Sequence, residues 1–266
     1  MGLTCESVGV NILKEKFNLQ CNNELVIALA GNPNVGKSTV FNALTGLKQH
    51  TGNWPGKTVA NARGCYIYKD RRFVLMDLPG TYSLLAHSVE EQVARDFICF
   101  ARPHVTIVVT DATCLERNLN LVLQVMELTD NVVVCVNLMD EAKRKGISIN
   151  INALEKELGV PVVATVARKG QGLEELMKRV YNVATRIEKM KAKKIIYSEE
   201  VEKVVAKLVP RIDRILKGKM DPRWVALRLI DGDDSILDSI KEYIYDGKSS
   251  SGKSEVKNKN EWYGEV

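Results

Sequence analysis

The chain has 266 residues, of which 45% are hydrophobic and 27% are charged, and 38 Lys and Arg against 33 Asp and Glu give a net charge of +5. This balance excludes a wholly disordered chain, and so small a positive excess does not predict nucleic-acid binding. No uninterrupted apolar run approaches the roughly 20 residues that a membrane span needs, so we expect a soluble chain with one large domain or two modest ones.

In chain order, the predicted elements begin with the strand Glu24–Ala30, a glycine-containing loop, a helix from Lys37 and a polar stretch, Gln49–Arg63. Further strands are predicted at Cys65–Tyr68, Phe73–Met76, His104–Thr110, Asn131–Val136 and Pro161–Thr165, and helices at Val89–Ala101, Glu116–Leu128, Ala153–Leu158 and Leu173–Lys191. This alternation indicates a mostly parallel sheet with helices on both faces. The charged turn Lys69–Arg72 predicts a hairpin, and therefore one antiparallel edge strand.

The strand signals end near residue 192, and the rest of the chain is predicted to be helical. Apolar residues at helical spacing cover Val201–Leu216, and two more helices are predicted at Trp224–Ile230 and Ile236–Ile244. The predicted organisation is an N-terminal extension (1–23), an α/β domain (24–188), a small helical domain (189–246) and a flexible polar tail (247–266).

A phosphate-binding motif follows the first strand, where the chain matches G-x-x-x-x-G-K-[ST] between a buried strand and a helix. Its residues are Gly31, Asn32, Pro33, Asn34, Val35, Gly36, Lys37 and Ser38. The backbone N–H groups of residues 34–39, ending at Thr39, are predicted to surround a β-phosphate. Lys37 is expected on the β- and γ-phosphates and the Ser38 hydroxyl on Mg²⁺.

A second motif, Asp77, Leu78, Pro79 and Gly80, follows another apolar strand. D-x-P-G alone is a common turn, but behind a phosphate-binding loop it indicates a magnesium and γ-phosphate site. Asp77 is predicted to hold Mg²⁺ through a water molecule, and the Gly80 N–H to approach the γ-phosphate.

Two further segments are predicted to read the base. The first is Asn137, Leu138, Met139 and Asp140, which follows the strand Asn131–Val136. The Asp140 carboxylate can accept hydrogen bonds from guanine N1–H and N2–H₂, and adenine lacks this donor pair. The second, Val166, Ala167 and Arg168, resembles the loop of Ras-like GTPases in which a backbone N–H, here that of Ala167, meets guanine O6; Val166 stands where Ser or Thr is usual in that family.

In this order, the motifs resemble the Ras-like GTPase family over residues 24–188. Gly46–Thr58 resembles the first switch of the FeoB family of bacterial ferrous-iron transporters, and Asp77–Leu84 and Val93–Asp96 resemble its second switch and the following helix. Pro222–Leu229 is similar to a segment of the helical domain of that family. The resemblance implies a P-loop GTPase fold with a mostly parallel six-stranded sheet, followed by a small all-α domain.

The FeoB resemblance also implies functional residues. Gly56, Lys57 and Thr58 are assigned to the nucleotide, with Thr58 as a Mg²⁺ ligand, although Lys57 and Ala60 depart from the residues frequent there. Asn34 is assigned to a K⁺ ion, whose charge would replace an arginine finger; the alternative is a side chain that ties its own loop. Lys37, Thr58 and Gly80 are the expected catalytic residues. Thr81 stands where Ras-type enzymes carry the water-orienting Gln, so slow hydrolysis is expected.

The implied function is a Mg²⁺-dependent switch that converts GTP to GDP at the cytoplasmic face of the membrane and regulates or drives ferrous iron uptake. The implied partners are guanine nucleotide, the transmembrane portion of the same transporter, small accessory Feo proteins and a second copy in the full-length protein. An RNA-binding assembly GTPase of the Era or EngA kind remains the alternative, but 189–266 lacks a G-x-x-G loop and no nucleic-acid partner is predicted. A nucleotide-binding scaffold without turnover also stays open.

Other residues receive ordinary interpretations. The six cysteines include no C-x-x-C pair and are expected to be reduced, as in a cytosolic protein. His50, His87 and His104 have no partner at metal-ligand spacing, so no iron site is predicted. Trp54 is expected to be an exposed aromatic that either covers the nucleotide or contacts the helical domain. The basic run at 189–194 is expected to be a solvated helix end, with a membrane surface as the alternative.

Overall fold

The computed structural model describes residues 24–46, 49–54, 58–85, 87–187 and 192–242, without the side chains of residues 49–51 and 61. The strands are β1 (Glu24–Gly31), β2 (Gln49–Asn53), β3 (Ala60–Tyr68), β4 (Arg71–Asp77), β5 (Val105–Asp111), β6 (Val132–Asn137) and β7 (Val162–Ala164). The helices are α1 (Lys37–Thr45), α2 (Val89–Asp96), α3 (Leu115–Leu128), α4 (Met139–Arg144), α5 (Ile151–Leu158), α6 (Leu173–Ala184), α7 (Glu199–Leu216), α8 (Pro222–Ile230) and α9 (Ser235–Ile240). The predicted extension (1–23), the predicted tail (247–266) and the predicted domain border at 188 lie outside the described residues.

The strands form one sheet in the order β2-β3-β4-β1-β5-β6-β7. β4, β1, β5, β6 and β7 are parallel neighbours, and β3 is antiparallel to both β4 and β2. The predicted fold class is confirmed, and all six predicted strands are present. A seventh strand, β2, lies within the polar stretch that was expected to be a loop. Its pairing with β3 joins backbone groups at the sheet edge, so no apolar pattern is needed to form it.

The hairpin between β3 and β4 is tighter than predicted. Its turn consists of Lys69 and Asp70, with φ values of 46° and 61°, and Arg71 already belongs to β4. Positive φ at both central residues is the geometry of a type I′ turn, whose twist matches that of paired strands. The predicted four-residue turn, Lys69–Arg72, is therefore two residues too long.

Two helix predictions also need correction. The helix predicted at Leu173–Lys191 ends at Ala184, where the Thr185 N–H donates to the Tyr181 carbonyl at 2.9 Å and Arg186 takes a left-handed φ of 58°. A left-handed residue ends the helical path because its carbonyl no longer follows the helix axis. The helix predicted at Ile236–Ile244 corresponds to α9, Ser235–Ile240, which is followed by a π-helical turn at 241–242, and its predicted end at Ile244 lies outside the described residues. The predicted helix Val89–Ala101 divides into α2 and a π-helical turn, Phe97–Ala101.

Trp54 is buried, and the prediction of an exposed aromatic is wrong. The side chain is 4% exposed, and its ring meets that of Phe97 edge-on, with the centroids 5.4 Å apart. The backbone N–H of Trp54 donates to the Val59 carbonyl at 2.8 Å. The residue therefore continues the β2–β3 pairing and anchors this edge of the sheet to the π-helical turn.

Helices cover both faces of the sheet. On one face, α1 and α6 join an apolar cluster that includes Ile27 and Leu176. On the other face, α2 and α3 share one cluster with the helical region α7–α9, so that Leu121, Trp224 and Ile236 belong to the same core. The helical region is therefore packed onto the α/β domain through continuous buried apolar surface. No helix in the described ranges is both long and apolar enough to cross a bilayer.

A buried arginine strengthens this interface. Arg95 of α2 is fully buried, and its Nη1 donates to Asp233 Oδ2 at 3.1 Å and to Ser235 Oγ at 2.8 Å. Its Nη2 donates to Ser239 Oγ at 2.9 Å, and its Nε donates to Asp96 Oδ1 at 2.9 Å. Burial of a charge is costly unless it is paired and hydrogen-bonded. The helical region supplies most of the partners that make this burial tolerable.

We expect Arg95→Ala to lower the free energy of unfolding by about 3–5 kcal/mol, because Asp233 would lose its buried countercharge. Urea unfolding followed by circular dichroism measures the change. Lys178→Ala is a suitable control, since that exposed side chain makes a surface ion pair with Glu175 and its loss should cost less than about 1 kcal/mol. Equal stabilities of the two variants would contradict the role of Arg95.

Candidate nucleotide-binding site

The four predicted motifs meet at one edge of the sheet. β1 ends at Gly31, β4 at Asp77, β6 at Asn137 and β7 at Ala164, and these strands run parallel. Ligands of open parallel sheets bind outside the carboxyl ends of the strands. The topology therefore brings together residues that lie more than a hundred positions apart in the sequence, as the contact between Asn137 and Val35 shows.

The predicted phosphate-binding loop turns sharply between β1 and α1. Asn34 and Gly36 both have positive φ, at 66° and 83°, and α1 begins at Lys37. A side chain at Gly36 would be strained, and its Cβ would lie 2.5 Å from Asn137 Nδ2. In the described structure no side chain caps the N-terminus of α1. Its first N–H groups are thus available to an anion, which the helix dipole also favours.

Lys37 and Asp77 form an ion pair at the base of this loop, and both side chains are mostly buried. Burial raises the pKa of the Asp77 carboxyl, and the nearby Lys37 ammonium offsets part of that rise. The Ser38 and Thr39 side chains are exposed beside them. Carboxylate and hydroxyl oxygens are the donors that Mg²⁺ accepts, so Asp77 and Ser38 fit a magnesium site.

The segment after β4 lies against the phosphate-binding loop. The Thr81 N–H donates to the Gly31 carbonyl at 3.2 Å, and a Cβ on Gly80 would be 3.5 Å from Pro33. Leu78 is buried and Pro79 half-buried between these contacts. The Gly80 backbone is therefore held beside the loop that the phosphate motif forms.

The first-switch residues are only partly described. Thr58 is exposed just before β3, whereas Gly56 and Lys57 fall outside the described ranges. Thr81 is 4% exposed and forms a local turn, in which its hydroxyl bonds the Ser83 carbonyl and accepts from the Ser83 N–H at 3.0 Å. The side chain after Gly80 is therefore committed to its own turn.

Asn137 joins the phosphate-binding loop to the segment after β7. Its side chain is almost fully buried, and its Nδ2 donates to the Val35 carbonyl at 3.0 Å. Its Oδ1 accepts from Thr165 Oγ1 and from the Ala167 N–H, both at 3.1 Å. The Ala167 N–H, predicted to meet guanine O6, is thus bonded to a side chain here. A base contact through Ala167 requires that this hydrogen bond be shared.

Asp140 lies in the first turn of α4, a helix that was not predicted from the sequence. A left-handed Leu138, with φ of 62°, and the Met139 N–H, which donates to the Thr165 carbonyl at 3.3 Å, redirect the chain into this helix. Arg168 donates to Asp140 Oδ2 through Nη2 at 2.6 Å. The hydrogen bonds from Arg168 are the main reason that the pKa of Asp140 is lowered. The carboxylate is therefore ionised at neutral pH and able to accept hydrogen bonds.

The remaining base-loop residue, Val166, is buried, and its N–H donates to the Gln171 carbonyl at 3.0 Å. Sequence reasoning missed Thr165, whose hydroxyl holds Asn137, and Glu91, whose carboxylate accepts from Ser83 Oγ at 2.8 Å. A signal for Glu91 was present: Ser88 lies three residues before it, the spacing of a helix capping box. Ser88 Oγ accepts from the Glu91 N–H at 3.1 Å.

Residues 25–180 match the family model for ferrous iron transport protein B, and residues 197–263 match the FeoB cytosolic helical domain. The Fe(2+) transporter FeoB of Shigella flexneri is 39% identical over 216 residues, which cover 79% of this chain and 27% of that protein. The chain thus spans about a quarter of the length of its curated relatives.

Solved structures give the same relationship. The cytosolic domain of the T. maritima FeoB iron transporter in a GDP form has a TM-score of 0.75 and 37% identity, with 88% of each chain covered. The GMPPNP form has a TM-score of 0.74 and 36% identity, again with 88% of each chain covered.

We expect Asn137→Ala to lower the free energy of unfolding by about 1–3 kcal/mol, because the buried groups that it bonds would lose their partner. The melting temperature should fall by several degrees, which calorimetry can measure. Asn131→Ala, at an exposed position before β6, is the matched control and should melt within about 2 °C of the unmodified protein. An unchanged melting temperature for Asn137→Ala would count against the linking role.

Proposed function

Because this chain belongs to the FeoB family, whose model it matches over residues 25–180, we propose that it binds GTP and hydrolyses it slowly as the switch domain of a ferrous iron transporter. The observation that carries the proposal is the meeting of the phosphate-binding loop, Asp77–Gly80 and Asp140 at one sheet edge. The T. maritima relatives named for their GDP and GMPPNP forms support guanine nucleotide as the ligand.

In this proposal the phosphates lie over the N-terminus of α1. The N–H groups of residues 34–39 surround the β-phosphate, and Lys37 leaves Asp77 to contact the β- and γ-phosphate oxygens. The Ser38 and Thr58 hydroxyls and, through water, the Asp77 carboxylate would hold Mg²⁺. When bound, the magnesium ion supplies positive charge that neutralises the phosphate oxygens.

Hydrolysis in this proposal proceeds without a catalytic base from a side chain. The Thr81 hydroxyl is bonded to Ser83 within its own turn, so it does not replace a water-orienting Gln. The Gly80 N–H, beside Pro33, is the group placed to contact the γ-phosphate. Positioning by backbone groups alone accounts for slow turnover, on the order of the unassisted Ras rate or somewhat faster.

A change of bound nucleotide can be transmitted to the helical region through a chain of contacts. Ser83 lies three residues after Gly80, and its hydroxyl donates to Glu91 Oε1 at 2.8 Å. Glu91 also accepts from the His87 N–H at 2.9 Å. One turn further along α2, Arg95 donates to Asp233 at 3.1 Å. Movement of the second switch would therefore displace α2 and, with it, the helices α7–α9.

The wider assignment concerns the whole transporter, of which this chain is the cytosolic part in our proposal. The domains are then the α/β domain (24–188) and the helical domain (189–246), with the transmembrane portion, small accessory Feo proteins and a second copy as partners. Ferrous iron uptake across the membrane is the process that the switch regulates or drives. The similarity to the Fe(2+) transporter FeoB of Shigella flexneri supports this assignment.

Potassium should stimulate GTP turnover, because exposed Asn34 lies in the phosphate-binding loop where its side-chain oxygen can hold a cation against the phosphates. Phosphate release should be faster in K⁺ than in Na⁺ and remain below about ten per second. Asn34→Ala should remove the stimulation, whereas Asn131→Ala should retain it. Equal rates of the unmodified protein in the two salts would exclude the potassium site.

The transport assignment can be tested in a bacterium that lacks its own ferrous iron transporter. The full-length gene that encodes this chain should restore uptake of radioactive Fe²⁺, and Lys37→Ala should abolish it because the phosphates lose their lysine contact. Lys178→Ala, on the exposed surface of α6, serves as the control with unchanged uptake. Full uptake by the Lys37→Ala protein would refute a role of GTP in transport.

A further inference from the structure

We propose that Arg168 is a positioning residue, which holds the Asp140 carboxylate in the orientation needed to distinguish guanine from related bases. The inference rests on the proposed function, since it takes Asp140 as the residue that reads the base. It assigns a role in nucleotide specificity to an exposed side chain in the loop after β7.

The evidence begins with the donors around Asp140. Arg168 approaches Oδ2 with two nitrogens, Nε at 3.2 Å and Nη2 at 2.6 Å. Lys169 Nζ lies 3.2 Å from the same oxygen, and the Glu141 N–H donates to Oδ1 at 3.1 Å. The Asp140 side chain is 18% exposed, whereas those of Arg168 and Lys169 are more than half exposed. The carboxylate is thus held by the two cations that follow Ala167.

Guanine readout demands such support. N1–H and N2–H₂ are parallel donors, and they require both carboxylate oxygens in one plane. Rotation about the terminal torsion of an Asp side chain has only broad minima, so external donors must fix the plane. The Asn137 side chain cannot supply these donors, because it bonds Val35, Thr165 and Ala167.

The contact with Arg168 is compatible with a bound base. A carboxylate offers about four lone-pair sites, two on each oxygen, and guanine uses one on each. One site on Oδ2 remains, for which Arg168 Nη2, the closer of the two Arg168 nitrogens, and Lys169 Nζ compete. The planar guanidinium is preorganised and loses less freedom than a flexible ammonium. Arg168 is also 3.4 Å from Glu141 Oε1, so Arg168 remains and Lys169 withdraws.

The test measures binding of GDP and of IDP, whose base lacks the 2-amino group, by displacement of a fluorescent GDP from the full chain. Arg168→Ala should weaken GDP binding about two- to fivefold, the range for an exposed ion pair. IDP should be affected less, because its base makes fewer hydrogen bonds to Asp140. The preference for GDP over IDP therefore falls. Arg168→Lys, which keeps the positive charge but not the planar guanidinium, should give an intermediate preference.

Two further variants isolate the interaction. Arg144→Ala removes an arginine that pairs with Glu141 on the same helix and should leave the GDP preference unchanged. In an Asp140→Asn background, adding Arg168→Ala should have no further effect on the preference, as in a double-mutant cycle of coupled residues.

The outcomes separate the inference from its premise. If the unmodified protein binds GDP and IDP equally, guanine readout by Asp140 fails, and the positioning role fails with it. If the unmodified protein prefers GDP but Arg168→Ala binds GDP more tightly, Arg168 competes with the base and the inference is overturned. Equal weakening of GDP and IDP would also overturn it, since a general charge effect would then explain the loss.

Discussion

The buried amide of Asn137 is the interaction on which the binding site depends. It ties the loop after β1 to the loop after β7 through Val35, Thr165 and Ala167. It also limits what the phosphate-binding loop can contain, because its Nδ2 leaves no room for a Cβ on Gly36. The phosphate and base halves of the site are therefore fixed relative to each other before a nucleotide arrives, which lowers the ordering cost of binding.

A second constraint lies between α2 and the helical region. Arg95 is a charge inside an apolar cluster, and most of its partners belong to the helical region. If the helical region moved away as a rigid unit, the guanidinium would keep Asp96 and lose Asp233, Ser235 and Ser239. The two parts are thus joined by an interaction that is costly to break. Arg95 lies one helical turn from Glu91, which accepts a hydrogen bond from Ser83 in the second switch.

The sequence predicted what depends on local pattern and missed what depends on distant partners. Five of the six predicted strands were foreseeable because buried parallel strands are continuously apolar, and the antiparallel β3 because a charged turn follows it. The motifs followed from their positions at strand ends. β2 could not be foreseen, since it pairs through its backbone with an edge strand. Trp54 was predicted to be exposed because its sequence neighbours are polar, and nothing in them indicates the contact with Phe97. The contacts of Arg95 and Arg168 likewise arise only in the fold, where hydropathy assigns an arginine to the surface.

The edge position of β2 sets a mechanical limit on the first switch. Trp54 is anchored in the core and Ala60 begins β3, so the chain that carries Thr58 is fixed at both ends. Only Val59 separates Thr58 from Ala60, and covalent reach keeps their Cα atoms within about 7 Å of each other. Thr58 can therefore move only a short distance while the strands stay paired. A larger displacement requires that β3 separate from its neighbours at the edge of the sheet. Trp54 belongs to one apolar cluster and Tyr66 of β3 to the other, so such a separation would open part of the core, and the energy of a long excursion is coupled to the energy of unfolding.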